Sequence, residues 1–246
     1  MLPTTGAAPR EAPRDYDLIA FDVDGTLVRH RHGKVVWEVF NRAFGGDDSV
    51  NISRFRAYRA GEISYPEWVA LDVGDWVRVG ATRQRMAELI RAELAPTPGA
   101  EETLKRLAQR EYRLAVISGT LDITLELLFP QHPFEVVRTN ALLFDDEQRV
   151  CDWRATPYDM EGKADALVEI ADSMQIPLQR TVFVGDNIND LYVMRKAGLA
   201  VAFEPKTDEV RTTAHHVLEG DMRPLAELLD DDAGREALVE PSGGFD

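Results

Sequence analysis

Four short apolar runs, each ending at a polar turn, set the frame of this chain. They are Asp17 to Phe21, Leu114 to Ile117, Thr181 to Val184 and Leu199 to Phe203. Each is apolar almost throughout rather than alternating, the pattern of a strand covered on both faces. Between them the period changes to that of a helix. Leu104 and Leu107 carry the segment before the second run, and Ala164, Leu167, Val168, Ala171 and Met174 follow an i, i+3, i+4 stripe. Strands alternating with such helices predict an α/β fold with a doubly wound, mostly parallel sheet. Ala141 to Cys151 reads as a hairpin turning at Asp145-Asp146-Glu147.

Residues 30–97 break this rhythm. No buried strand is legible there. Val36, Val39, Phe40 and Ala43 form one amphipathic stripe, which Gly45-Gly46 ends. Ser64-Tyr65-Pro66-Glu67 is a capping box opening a second helix, and Thr82 caps a third, with Met86, Leu89, Ile90 and Leu94 on one face. Trp37, Trp68 and Trp76 are expected in the core of this unit. The expected division is a tail at 1–14, a core of 15–29 and 98–230, an inserted all-helical cap at 30–97 and a second tail at 231–246. Both tails are expected to be flexible, the first from its prolines, the second from its acidic and glycine-rich composition.

Charge and cysteine content narrow the class. The chain has 246 residues and a net charge of -15. That excess disfavours nucleic acid and anionic membrane surfaces as partners. A small anionic substrate stays compatible, because a local cation can reverse the field inside a pocket. Cys151 is the only cysteine, no apolar run is long enough for a membrane span, and the N-terminal residues lack an apolar signal core. A cytoplasmic location is expected, as a monomer or homodimer.

Three polar motifs follow strands directly: Asp22-Val23-Asp24-Gly25-Thr26, Ser118-Gly119-Thr120 and Gly185-Asp186-Asn187-Ile188-Asn189-Asp190. In an open parallel sheet, side chains beyond the carboxyl ends of separate strands converge at one rim. Asp22 and Asp24 stand two residues apart, so extended geometry through Asp24 would turn both the same way. Like charges that close call for a cation or a shared proton. A calcium loop would need a Glu where Gly33 stands, so that reading fails. Ser118 and Gly119 precede a helix expected from about Leu121, with Thr120 as its cap; hydroxyls and free amides there suit a phosphate. Lys163 opens a helix, against the dipole, and by itself reads as a solvated lysine. Asp186 and Asp190 form a second acidic pair, with Asn189 between them, of the kind a magnesium ion takes. The run Arg29 to Lys34 reads as a solvated loop, and His215-His216 as a strand or loop pair.

Together these segments resemble the four motifs of the haloacid dehalogenase-like phosphohydrolase superfamily. Asp22, Asp24 and Thr26 match its first motif, Ser118 its second, Lys163 its third, and Gly185, Asp186 and Asp190 its fourth. The short interval between Ser118 and Lys163 and the helical insertion after the first motif resemble the phosphoserine phosphatase-like branch. The resemblance implies a Rossmann-like core with a small helical cap, and a Mg2+-dependent phosphatase hydrolysing a small-molecule phosphomonoester through an aspartyl-phosphate. It implies Asp22 as nucleophile, Asp24 as acid and base, and Ser118, Gly119 and Lys163 as phosphate ligands. Asp22, Asp24 and Asp186 would hold the metal, with Asp190, Asn189 and Thr26 in support. One position departs from the branch: Arg31 stands where phosphoserine phosphatases carry a glutamate for the substrate ammonium, and Glu38 is the other candidate for that role. Two rival readings are therefore phosphoserine phosphatase itself and a non-catalytic phospholigand-binding module on the same fold.

Overall fold

The computed structural model describes residues 15–46, 48–158 and 162–235. The chain opens with β1 (Leu18–Phe21) and β2 (Val28–His30). Helices α1 (Val36–Phe40), α2 (Asp48–Arg59), α3 (Tyr65–Arg78) and α4 (Arg83–Glu93) follow, and β3 (Leu94–Pro96) closes the insertion. Then come α5 (Ala100–Gln109), β4 (Arg113–Leu121), α6 (Asp122–Leu128), β5 (Val136–Phe144), β6 (Val150–Arg154) and α7 (Gly162–Ser173). The remainder is β7 (Thr181–Gly185), α8 (Leu191–Lys196), β8 (Leu199–Phe203), α9 (Asp208–Thr213), β9 (His216–Leu218) and α10 (Pro224–Arg235).

Seven strands form the main sheet in the order β6-β5-β4-β1-β7-β8-β9. All its pairings are parallel except β5 with β6, the expected hairpin. β1 lies centrally, with Phe21 level with Val116 of β4 and Val184 of β7. Strand alternation divides its four residues between two cores. Ile19 and Phe21 pack with Leu104, Leu107, Leu225 and Leu229 of α5 and α10. Leu18 and Ala20 pack with Leu167 and Ile170 of α7 and Val193 and Met194 of α8. Burial of both faces is why the strands read as unbroken apolar runs. No helix among the described residues is long and apolar enough to cross a membrane.

The helical insertion departs from the expected pattern in three places. β2 and β3 pair antiparallel at its two ends, His30 opposite Leu94, where no strand was legible. They are too short for alternation to register. α2 was not predicted, since its sequence is polar on most sides; it is held by Arg54, which bonds Asp72 and Asp75 of α3 at 2.7 Å each. A π turn at Asn41–Gly45 extends α1, with Gly46 N–H donating to Asn41 O. The extra residue rotates the stripe. Ala43 faces outward, and Asn41 turns in to bond Asp72, Asn51 and Trp76. The capping box at Ser64 and the Thr82 cap are present as predicted. Trp76 is fully buried against Trp37 and Phe40. α10 continues through Arg235, so the first five residues of the expected tail at 231–246 are helical; the rest of that tail and the expected tail at 1–14 lie outside the described residues.

Candidate active site

The carboxyl ends of β1, β4 and β7 bring the polar motifs to one rim. Asp22 follows β1 directly, its amide bonded to Val184 O at 2.9 Å. β1 ends at Phe21, so the extended geometry does not reach Asp24. The chain instead turns at Gly25, whose φ of +89° favours glycine. A Cβ there would lie 2.0 Å from Asp186 Oδ2, so only glycine lets the turn close over that carboxylate. Thr26 is fully buried behind it, and its carbonyl accepts the Thr97 hydroxyl at 2.7 Å.

Lys163 is the centre of the constellation. It sits in the first turn of α7, and its side chain is fully buried, not solvated. Its ammonium donates to Asp22 Oδ1 at 2.6 Å and to Asp190 Oδ1 at 2.7 Å. Asp190 Oδ2 in turn accepts the amides of Asp186 and Asn187, at 2.9 and 3.1 Å. That fold-back fixes the turn after β7, where half-buried Asn189 also lies. Asp22, Asp186 and Asp190 are all buried, and a carboxylate oxygen from each lies within 4.8 Å of the others. The Asp24 side chain stands outside this trio and meets His30 Nε2 at 3.0 Å.

Three buried carboxylates face one buried ammonium, and the acidities record the imbalance. Burial raises Asp22 to about 7, helped by Asp190 and Asp24 and opposed by Lys163. Burial also lifts Asp186 well above the usual carboxylate range, with Asp22 and Asp190 adding to it. For Lys163 burial works against the charge, but Asp190 and Asp22 outweigh it and hold the ammonium above its ordinary value. Asp186 Oδ1 is buried and has no hydrogen-bond partner. An oxygen so placed forfeits hydration unless a cation meets it. The donor set, all hard carboxylate oxygens with one left open, fits a divalent ion such as Mg2+.

Ser118 and Gly119 lie on the neighbouring strand. β4 runs through both to Leu121, with a shift of register between Ile117 and Leu121. Thr120 is therefore in the strand and is not the predicted helix cap. The cap position of α6 falls to Leu121, which offers no side-chain bond; Asp122, in the first turn, accepts on Oδ1 from Ile123 N at 2.8 Å and from Leu142 N at 3.2 Å. Ser118 Oγ, buried, accepts the Thr120 amide at 3.1 Å. Gly119 O accepts from Trp37 Nε1 at 2.9 Å and Asn140 Nδ2 at 2.7 Å, so α1 of the insertion and β5 of the core meet on one carbonyl. Asn140 also contacts the Tyr65 hydroxyl at 2.9 Å.

A family model for haloacid dehalogenase-like hydrolases matches residues 16–198. The chain belongs to that family. Within it, the chain falls in the phosphoserine phosphatase-like branch. It is 31% identical over 198 residues to the phosphoserine phosphatase of Streptomyces coelicolor, covering 80% of this chain and 46% of that one. It is 30% identical over 186 residues to the phosphoserine phosphatase of Methanocaldococcus jannaschii, covering 76% and 84%. The chain thus spans about half the length of the first of these curated relatives and most of the second. Among solved structures it resembles a phospho-aspartyl intermediate analogue of phosphoserine phosphatase, with a TM-score of 0.66 and 28% identity over 89% of this chain and 99% of that one.

Set beside the haloacid dehalogenase-like pattern, the environment of three residues was not legible in sequence. His30 lay hidden in a charged run otherwise read as solvated, and Arg29, Arg31 and His32 beside it are indeed exposed. Trp37 and Asn140 reach Gly119 from distant segments, with no local signal at all. Glu38, the other candidate for a substrate ammonium, accepts the Val35 amide at 3.1 Å and caps its own helix. A cleft of about 560 Å³ opens beside the first motif, lined in part by Gly25, Arg29, His30, Thr97 and Lys206.

Proposed function

We propose that the protein is a Mg2+-dependent phosphatase that hydrolyses a small-molecule phosphomonoester through a phosphorylated Asp22. One observation carries the reading: a fully buried ammonium bridges Asp22 and Asp190 while Asp186 Oδ1 stays open beside them. Relatives named phosphoserine phosphatase, and a structural neighbour named as a phospho-aspartyl intermediate analogue, support it.

In this reading an Asp22 carboxylate oxygen attacks phosphorus, and the bond to the ester oxygen breaks with its electron pair. Asp24 gives its proton to that oxygen as it leaves. It then takes a proton from the water that attacks the aspartyl-phosphate and frees inorganic phosphate. The Ser118 hydroxyl, the Gly119 amide and the Lys163 ammonium hold the phosphoryl oxygens while charge redistributes. The Asp22 and Asp186 carboxylates and the Asp24 carbonyl would hold Mg2+, with Asp190 and Asn189 supporting that set and Thr26 the turn beside it. When bound, the ion supplies positive charge to the phosphoryl oxygens. Residues 30–97 act as a cap over a core of 15–29 and 98–230, excluding water during turnover. The enzyme works in the cytoplasm, whose reducing conditions suit the exposed thiol of Cys151.

The names of the relatives favour phosphoserine as a second substrate reading, whereas exposed Arg31 offers the wrong charge for its ammonium. The test is release of phosphate from p-nitrophenyl phosphate and a metabolite panel, with Mg2+ and after chelation. Chelation lowers turnover by at least about 100-fold, and Mg2+ restores it. Phosphoserine outranking the panel would select the narrower enzyme. Binding of phosphate esters without hydrolysis of any would replace the enzyme with a binding module.

A further inference from the structure

We infer that His30 is a positioning residue for the acid–base step, fixing the orientation of the Asp24 carboxyl. The inference rests on the reading of Asp24 as the proton donor. His30 Nε2 lies 3.0 Å from Asp24 Oδ1, with both side chains largely buried, at 11% and 14% exposure. The contact is set by backbone on both sides. Gly25 N–H donates to Val28 O at 2.8 Å, and Val28 N–H to Val23 O at 2.9 Å, folding the chain from Asp24 back into β2. There His30 pairs with Leu94 of β3, and Arg31 N–H donates to Glu93 O at 2.8 Å. Strand alternation sends Arg29 outward and turns His30 towards the carboxyl.

A free carboxyl rotates broadly about its last torsion. An acid that must meet one leaving oxygen loses effective concentration with every misdirected rotamer. An Nε2–H donated to Oδ1 ends that rotation and leaves Oδ2 as the oxygen that carries the proton. The proton passes from Oδ2–H to the ester oxygen as the phosphorus–oxygen bond breaks. The carboxylate formed keeps the Nε2–H on Oδ1. Such help matters for an alkoxide and little for p-nitrophenolate, which departs without a proton.

The experiment compares kcat/KM for the best alkyl phosphate of the metabolite panel with that for p-nitrophenyl phosphate. In Asp24→Asn the alkyl-to-aryl ratio falls by about 100-fold, the loss of a general acid. In His30→Leu it falls by about tenfold, and His30→Gln, whose amide reaches as far as Nε2, restores it to within about threefold of wild type. His30→Asn, with a shorter amide, shows the same drop as His30→Leu and serves where that variant does not fold. A normal ratio in both His30→Leu and His30→Asn, beside a lowered one in Asp24→Asn, overturns the role of His30 and leaves Asp24 in place. A lowered ratio that His30→Gln does not rescue also overturns it, since the loss is then one of packing. An unchanged ratio in Asp24→Asn overturns the acid assignment and this inference with it.

Discussion

Lys163 is a full positive charge with no exposed surface, and two carboxylates, Asp22 and Asp190, make that tolerable. Breaking one side of a buried ionic cluster costs about 3–5 kcal/mol, so the trio is under strong mutual constraint. Asp22 bears the opposite strain. Burial lifts it from 3.8 to about 7, so the metal-free fold keeps a proton that the unfolded chain releases. That contribution to stability is complete below about pH 3.8 and is lost as pH rises through about 7. Asp22→Asn removes the titration. In chelated protein, the melting temperature of Asp22→Asn minus that of wild type therefore rises by about 3 °C or more between about pH 5 and pH 8. Saturating Mg2+ suppresses the rise, and a pH-independent difference without metal would contradict the assignment. Little of this was legible from Lys163 alone. One lysine at a helix start differs from a solvated one only by an unfavourable place on the dipole. Its partners come from the segments after β1 and β7, distant in sequence.

At the scale of elements, the strand carrying Ser118 and Gly119 is held by pieces distant from it in sequence. Trp37 of α1 and Asn140 of β5 both donate to Gly119 O, and Tyr65 of α3 reaches Asn140. The insertion is thus tied to the segment carrying Ser118. Trp37→Phe keeps most of the aromatic contact with Trp76 but deletes one donor. A net hydrogen bond is worth about 1 kcal/mol, so kcat/KM falls by about fivefold while the melting temperature drops by no more than about 4 °C. Steady-state kinetics beside thermal unfolding checks this; full activity would show that Asn140 alone holds the carbonyl. Element existence was largely legible, because the buried strands are apolar on both faces and the caps at Ser64 and Thr82 are local chemistry. What escaped was tertiary. The π turn moved Asn41 inward, α2 formed without an apolar stripe because Arg54 found Asp72 and Asp75, and β4 ran on through Thr120 to Leu121, so that α6 starts without a side-chain cap.

For the whole molecule, chain order and sheet order differ in a way that matters. β1 sits between β4 and β7, so three strands distant in sequence end side by side, and α7 brings Lys163 across to them. The net charge of -15 is felt at this rim too, where three buried carboxylates face the one buried ammonium of Lys163, an excess that leaves a place for a dication. Reading three motifs after three strands anticipated this convergence; the register, with Phe21 level with Val116 and Val184, accounts for it. The central claim is that Asp22 becomes phosphorylated. Rapid acid quench of the Mg2+-loaded protein during turnover of p-nitrophenyl phosphate, followed by peptide mass spectrometry, tests it most directly. The expected result is a phosphoryl group on Asp22 that vanishes as substrate is exhausted and never forms in folded Asp22→Asn. Steady turnover with no phosphorylated peptide, or with undiminished hydrolysis in Asp22→Asn, would contradict it.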